Sequence, residues 1–218
     1  MSGFINVDVL GEDEVKRARE LLSGIPNGAH RALGAAIRRG ASYLRANSAR
    51  AIQERYDISA ANIRANENVT IRYMGQGAVD ATVRFAGGKI PLFRYGGASP
   101  GTPTPLKDRW VKVYNAWYHP GAPAYGHIFK ATRPYRFDGA FVAQMRSGHV
   151  GIFERNGRDR HDEDGNIIGD AISEVMGLSV AQMVGNDEVK QKLTEQAAEK
   201  VAERYHHEAV RLLNGWGG

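Results

Sequence analysis

The residues best suited to chemistry are acids and histidines that lie close together. The densest group is His161-Asp162-Glu163-Asp164, whose carboxylates could hold a divalent cation that activates water. An EF-hand with its invariant glycine at Gly165 would start at Arg160 and end at Ala171. Both positions require a carboxylate, so the segment is not an EF-hand. We therefore expect a solvated acidic turn. A metal-dependent nuclease using Asp162, Glu163 and Asp164 is kept as a third interpretation.

Two further histidine motifs do not predict catalysis. In His206-His207-Glu208, adjacent helical residues point about 100° apart, so both histidines cannot face one metal. His149, in Gly148-His149-Val150-Gly151, has no recognisable acid or nucleophile motif beside it, so we expect a structural hydrogen bond.

Motifs of the common enzyme classes are missing from the sequence. It contains no Gly-x-Ser-x-Gly elbow, no phosphate-binding loop and no cysteine, which excludes a thiolate zinc site and a cysteine nucleophile. The sequence therefore predicts no enzyme, no cofactor and no metal site.

An arginine-rich helix is the better functional candidate. Apolar residues recur at helical spacing from Ala29 to about Tyr56, and arginines project from the opposite side. These arginines are Arg31, Arg38, Arg39, Arg45 and Arg50. They could face solvent, another subunit or the phosphates of DNA; because no base-reading module is present, any DNA contact would be sequence-independent.

The charge is distributed unevenly along the chain. The formal net charge of +5 divides into −2 over residues 1–28, +12 over residues 29–150 and −5 over residues 151–218. Such asymmetry fits a polyanion partner such as DNA, or head-to-tail contacts between subunits. Uneven scatter of solvated charges is the third interpretation.

Patterning predicts an α+β fold, with N-terminal helices and a C-terminal helix packed on a central antiparallel sheet. The length of the chain suits one domain, 1–218. Helices are expected at 12–22, at 29–56 and after Asn186, where an apolar face runs from Val189 to Leu212. A hairpin is expected at 69–85, strands at 128–131 and 150–153, an apolar segment at 140–145 and a turn at 164–166.

A Gly/Pro-rich stretch, 96–126, interrupts this pattern and predicts an extended loop or arm carrying a short strand or hairpin. Its aromatic residues suggest docking to a partner. The interface candidates are Trp110, Tyr114, Trp117 and Tyr118.

Three segments carry a family resemblance. They are Phe137-Asp138-Gly139-Ala140-Phe141-Val142-Ala143-Gln144-Met145, Gly148-His149-Val150-Gly151-Ile152-Phe153-Glu154-Arg155-Asn156-Gly157, and the stretch from Ile172-Ser173-Glu174 to Gly185-Asn186. Together they resemble the minor tail protein Z family of tailed bacteriophages and prophages. The early helix ending Tyr56-Asp57-Ile58 fits the same family.

The resemblance implies a non-enzymatic structural protein of the tail or neck, which completes the tail, joins it to the head and holds the genome end. Such proteins assemble as rings, commonly six-fold. The implied partners are further copies of the chain, other tail or neck proteins and genomic DNA. The alternative is a basic, sequence-independent DNA-binding or transient tail-assembly factor that is not retained in the particle.

The location follows from the same reasoning. No apolar run approaches the roughly 20 residues of a membrane-spanning helix, and the N-terminus lacks a secretory signal. We therefore expect no membrane partner. The resemblance implies a place in the virion, with assembly in the host cytoplasm.

Overall fold

The structure, a computed structural model, describes residues 3–7, 16–17, 20–74, 80–96, 99–100, 111–113, 116–118, 123–145, 147–161 and 163–215. Two compact units are distinguished within the predicted domain 1–218. The first comprises Met1–Ile52, Asn66–Gly87 and Val180–Gly218, and the second comprises Gln53–Ala65 and Gly88–Ser179.

Helices and antiparallel strands make up both units, so the α+β prediction is confirmed. In chain order the elements are β1 (Gly3–Val7), α1 (Gly28–Arg55), α2 (Ala60–Asn66), β2 (Asn68–Met74), β3 (Asp80–Ala86), β4 (Lys89–Pro91), β5 (Ser99–Pro100), β6 (Val111–Val113), β7 (Ala116–Tyr118), β8 (Pro123–Gly126), β9 (Tyr135–Gln144), β10 (Val150–His161), β11 (Ile167–Glu174), β12 (Met176–Ser179), α3 (Val180–Val184) and α4 (Asp187–Leu213).

The first unit contains a three-stranded antiparallel sheet in the order β1-β3-β2. The predicted hairpin is confirmed, with Ile71 opposite Val83 in the β2–β3 ladder. The central strand buries Val83 and Phe85 fully, because it alternates apolar and polar residues and is covered on one face.

The long helix α1 begins and ends within a residue of its predicted bounds. It buries the apolar side chains of the predicted stripe, together with small residues that allow close packing. Gly34 and Gly40 are among the buried positions. Each lowers intrinsic helix stability by about 1 kcal/mol relative to alanine, so packing within the first unit must hold the helix.

The C-terminal helix α4 follows Asn186, as predicted. Asp187 and Glu188 occupy its first turn and Arg211 its last, an arrangement that complements the helix dipole. The Asn186 side chain makes no capping hydrogen bond with a described residue, so the first turn relies on its acidic residues. The buried residues are Val189, Leu193, Ala197, Val201, Glu208 and Leu212.

The second unit contains a five-stranded antiparallel sheet in the order β11-β10-β9-β8-β5. Ile152 of β10 pairs with Val142 of β9, and both are buried. The apolar segment predicted at 140–145 falls mostly in β9, and the strand predicted at 150–153 is the start of the longer β10.

Tyr95 connects two parts of the second unit. Its hydroxyl donates to the Leu178 carbonyl at 3.0 Å and accepts from the Leu178 N–H at 3.1 Å. Burial raises the pKa of Tyr95 to about 12, although the backbone hydrogen bond opposes that shift. A methyl group at Gly177 would lie 2.6 Å from Cε2 of the ring, so glycine permits this close approach.

The prediction of a strand at 128–131 is wrong. Phe129 forms an isolated bridge with Tyr56, and the chain then turns. The Ile128 carbonyl accepts from Asp57 N–H, while Lys130 N–H donates to the Arg55 carbonyl. The end of α1 thus takes the backbone hydrogen bonds that a strand partner would need, despite the β-prone residue types.

Two predicted regions are only partly described. Within 96–126, β5 and β8 pair in the five-stranded sheet and β6 pairs with β7 as a short hairpin, whereas 97–98, 101–110, 114–115 and 119–122 lie outside the described residues. In the helix expected at 12–22, residues 16–17 and 20–21 are helical, and 12–15 and 18–19 lie outside the described residues.

Candidate anion-binding site

Helices α1 and α4 pack against each other in antiparallel directions within the first unit. Near the start of α1, Ala32 shares a buried cluster with Leu212, at the end of α4. Farther along α1, the Tyr43 hydroxyl donates to Gln196 Oε1 at 3.3 Å. Early residues of one helix therefore meet late residues of the other, which brings Arg31 to Arg39 near the last two turns of α4.

A buried carboxylate lies in these last turns of α4. Glu208 is 3% exposed. Arg204, four residues before it, forms an ion pair with Oε1, and Arg211, three residues after it, contacts Oε2 through Nε and Nη2, both at 2.9 Å. These spacings place all three side chains on one helix face, so both carboxylate oxygens are paired.

The arginines of both helices surround a cleft of about 520 Å³. Its lining residues are Arg31, Ala35, Arg38, Arg39, Ser42, Arg204, Glu208 and Arg211. Ala35 and Ser42 are small and leave the space open. Five guanidinium groups against one carboxylate make the cleft strongly cationic, and arginine keeps its charge throughout the physiological pH range.

Part of the positive charge of this cleft has no counter-ion among the described residues. Neither Arg38 nor Arg39 forms an ion pair or a side-chain hydrogen bond with any residue that the structure describes. Planar guanidinium groups suit phosphate and carboxylate oxygens. The arrangement can therefore bind an anionic group supplied by another molecule.

A tyrosine lies beside the cleft, on the apolar side of the helix pair. Tyr205 packs against the cluster of Leu22, Ala32 and Leu212. Its hydroxyl is buried with no hydrogen-bond partner among the described residues. Desolvation by burial raises the pKa of Tyr205 above its ordinary value, so this phenol stays neutral at physiological pH.

The five arginines singled out in the sequence divide into two groups. All five are exposed. Arg31, Arg38 and Arg39 line the cleft, whereas Arg45 and Arg50 lie farther along α1 and do not line it. What these side chains bind stays a prediction.

The aromatic interface candidates lie where side chains are not described. Trp110 and Tyr114 lie outside the described residues. For Trp117 and Tyr118 the structure gives backbone positions in β7, where they pair with Lys112 and Val111 respectively. Their proposed contact with a partner stays a prediction.

His149 makes the structural hydrogen bond that the sequence suggests. Its Nε2 donates to Glu174 Oε1 at 2.8 Å, linking the start of β10 to the end of β11. A methyl group at Gly151 would collide with the same oxygen, so this glycine makes room for the carboxylate. His149, Gly151 and Glu174, from motifs of the family resemblance, are thus brought together in one arrangement.

A second histidine–acid pair was not foreseen. His127 Nε2 donates to Asp57 Oδ2 at 2.8 Å, while His127 Nδ1 is buried without a partner among the described residues. The two residues are 70 positions apart in sequence. No local spacing could have indicated this pair.

The other motifs considered for chemistry are separated in space or incompletely described. His206 and His207 are exposed, whereas Glu208 is buried among arginines. Glu163 and Asp164 lie in an exposed turn, and Asp162 lies outside the described residues. Among the residues described, no three His, Asp or Glu side chains are close enough to hold a metal ion.

Sequence reasoning missed the α4 half of the cleft. The sequence predicts no role for Glu208, which lies on the apolar face of the C-terminal helix, or for Arg204 and Arg211. The sequence does contain a signal for this cluster. Glu208 is an acid at a position where the apolar stripe predicts a buried side chain, and arginines lie four residues before it and three residues after it. An acid at such a position needs partners, because an unpaired buried charge is costly.

The fold and the cleft define an α+β protein with an arginine-lined cleft between two helices. The chain belongs to the prophage minor tail protein Z family, whose model matches residues 14–214 and so spans both units. This match confirms the family resemblance stated from the sequence. No curated protein and no solved structure matches the chain.

Family membership makes this a phage minor tail protein, a structural component of the virion that works together with other tail proteins. Among the described residues, no helix is both long enough and apolar enough to cross a membrane.

Proposed function

We propose that this protein is a non-enzymatic structural component that completes the tail, joins it to the head and holds the genome end in the tail. It acts as a ring of identical subunits, with six copies as the leading stoichiometry, at the neck or tail. It contacts neighbouring tail or neck proteins, is assembled in the host cytoplasm, and functions as one domain, 1–218. The family match is the principal support.

The geometric observation that supports assembly with a partner is the arginine cleft between α1 and α4. Five guanidinium groups surround it, and two of them have no partner within the described chain. Like charges held together raise the free energy of the isolated subunit. An anionic partner would relieve that repulsion, as expected for a protein that works in an assembly.

Purified particles test the structural role. We expect mass spectrometry to find the chain in the particle, electron microscopy to locate it as a ring at the neck or tail, and the purified protein to form oligomers.

Deleting 101–122, the part of the arm between β5 and β8, should leave particles unjoined or non-infectious. A chain that stays monomeric and is absent from particles would overturn the proposal.

A second candidate function is sequence-independent DNA binding by a factor that leaves before the particle matures. The observation that favours it is the set of exposed arginines along α1. Phosphate contacts release counterions, so affinity for a duplex should fall steeply with salt, by roughly one power of the salt concentration per phosphate contacted. Binding that stays flat across salt concentrations would exclude this function, and finding the chain in particles would exclude the transient role.

The non-enzymatic assignment has its own test. Asp162, Glu163 and Asp164 are the acids of the nuclease alternative. We expect no cleavage of plasmid DNA in the presence of magnesium. Cleavage that is lost when these three acids are replaced by alanine would show an enzyme.

A further inference from the structure

The β10–β11 hairpin extends beyond the sheet that anchors it. β10 pairs with β9 from Val150 to Glu154, and with β11 from Phe153 to His161. Beyond Glu154 the described ladder therefore consists of two strands. Two-stranded hairpins are at best marginally stable alone in water, so a partner that covers this part would stabilise it.

The distal part of this hairpin is exposed. Every side chain that the structure describes between Glu154 and Ile167 is exposed, and Ile167 is 63% exposed. An exposed isoleucine beside a charged turn provides an apolar contact next to polar ones, the usual composition of a protein interface.

The tip of the hairpin is acidic. In the sequence, residues 159–164 include four acids and one arginine, and three of the acids, Asp159, Glu163 and Asp164, lie among the described residues. Glu163 has no ion pair or hydrogen bond with any described residue. Gly165, with a φ of +85°, supplies the left-handed turn that presents the tip.

The arginine cleft complements this tip in sign and shape. The cleft is concave, with five arginines and one glutamate, and its volume of about 520 Å³ suits a few side chains. A hairpin tip is narrow and convex. A DNA duplex is a broad cylinder, since its major groove alone is about 12 Å wide. The duplex would therefore contact the rim of the cleft without filling it.

We propose that the acidic tip of the β10–β11 hairpin of one copy inserts into the arginine cleft of the next copy. Glu163 then pairs with Arg38 and Arg39, and Ile167 contacts the rim. Donor and acceptor surfaces are different patches of the same chain, so the contact is head-to-tail and generates a ring when the rotation closes. The inference rests on the proposed ring and names the contact that builds it.

Cysteine cross-linking tests this contact directly, because the chain has no cysteine of its own. Glu163→Cys and Arg39→Cys are made as separate proteins, mixed and oxidised. We expect a disulfide-linked dimer containing one of each, and little of it when Glu199→Cys, an exposed acid of α4, replaces Glu163→Cys. Equal cross-linking in the control would overturn the proposal. A double variant that links within one monomer, while the mixture gives no dimer, would also overturn it.

Charge reversal provides a functional readout by sedimentation. At about 0.15 M salt, Glu163→Arg and Arg39→Glu should each weaken self-association by about tenfold or more, and combining them should restore it to within about threefold. Arg50→Glu, an exposed position of α1 that does not line the cleft, should have no effect. Circular dichroism confirms that each variant folds.

The outcomes separate this inference from the proposed function. Oligomers that persist in Glu163→Arg and Arg39→Glu would refute the hairpin contact and leave the ring intact. Loss of DNA binding in Arg39→Glu with unchanged assembly would make the cleft a DNA site and would also refute the contact. A wild-type chain that is monomeric at all concentrations and absent from particles would overturn both proposals.

Discussion

The two units stabilise their polar groups in different ways. In the first, the buried carboxylate of Glu208 is paired with arginines, whose charge is permanent. In the second, the carboxylates of Asp57 and Glu174 are partly exposed and pair with histidines. The difference indicates that the first unit maintains a fixed cationic surface, whereas the histidine pairs of the second join neighbouring segments of backbone.

The largest expected effect concerns Glu208. Replacing both of its partners, Arg204 and Arg211, with alanine leaves this buried carboxylate without its ion pairs. We expect a loss of about 3 to 5 kcal/mol in the free energy of unfolding, measured by urea denaturation. Glu199→Ala, at an exposed position of the same helix, should change stability by less than about 0.5 kcal/mol. A loss below about 1 kcal/mol for the double variant would contradict the need of this carboxylate for its partners.

The next effect belongs to the second unit and depends on alkaline pH. In the unfolded chain the Tyr95 phenol has its ordinary pKa near 10, and in the folded chain its pKa is about 12. A raised folded pKa gives stability that is complete below about pH 10 and is lost as the pH rises towards 12, here about 2 kcal/mol. Urea denaturation between these pH values should show a smaller loss for Tyr95→Phe. Equal losses in both proteins would rule out Tyr95 as the source.

A smaller effect is expected at Gly151, because the obstructing group is the end of a flexible side chain. Gly151→Ala should displace the Glu174 carboxylate from His149 at a cost of about 1 kcal/mol in the free energy of unfolding. The His149 ring signals in NMR spectra should shift as the hydrogen bond is lost. Glu174→Gln is the control, since it alters the pair without steric conflict. An unchanged His149 spectrum in Gly151→Ala would contradict this account.

The smallest effect on stability is expected at the hairpin tip. Glu163→Ala and Ile167→Thr change exposed side chains, so the free energy of unfolding of the monomer should change by less than about 0.5 kcal/mol. Self-association should nevertheless weaken in both variants, as measured by sedimentation. A destabilised monomer would mean that the tip supports the fold of its own chain.

Sequence periodicity predicted the elements that bury one face. Helices α1 and α4 follow a stripe with the helical repeat, and β2 and β3 alternate apolar and polar residues, so their boundaries were close to correct. The distal part of β10 was missed because it is exposed on both faces, and such a strand carries no alternation.

The candidate site was predictable in part. The exposed face of α1 could be read from its arginines, three of which line the cleft. The contributions of Arg204 and Arg211 depend on how two helices more than 100 residues apart pack together. Such distant pairing is decided by the tertiary fold, and a single helical repeat contains no signal for it.

The irregular register of β11 with β10 has a consequence for solubility. β11 is an edge strand, with Ile167 and Ile172 exposed along it. Flat, apolar edges are templates on which sheets of different molecules pair without limit. Register shifts between Arg155 and Asp159 and between Arg160 and His161 interrupt the ladder and increase its local twist. The irregular register therefore disfavours open-ended pairing of this edge with the edges of other molecules.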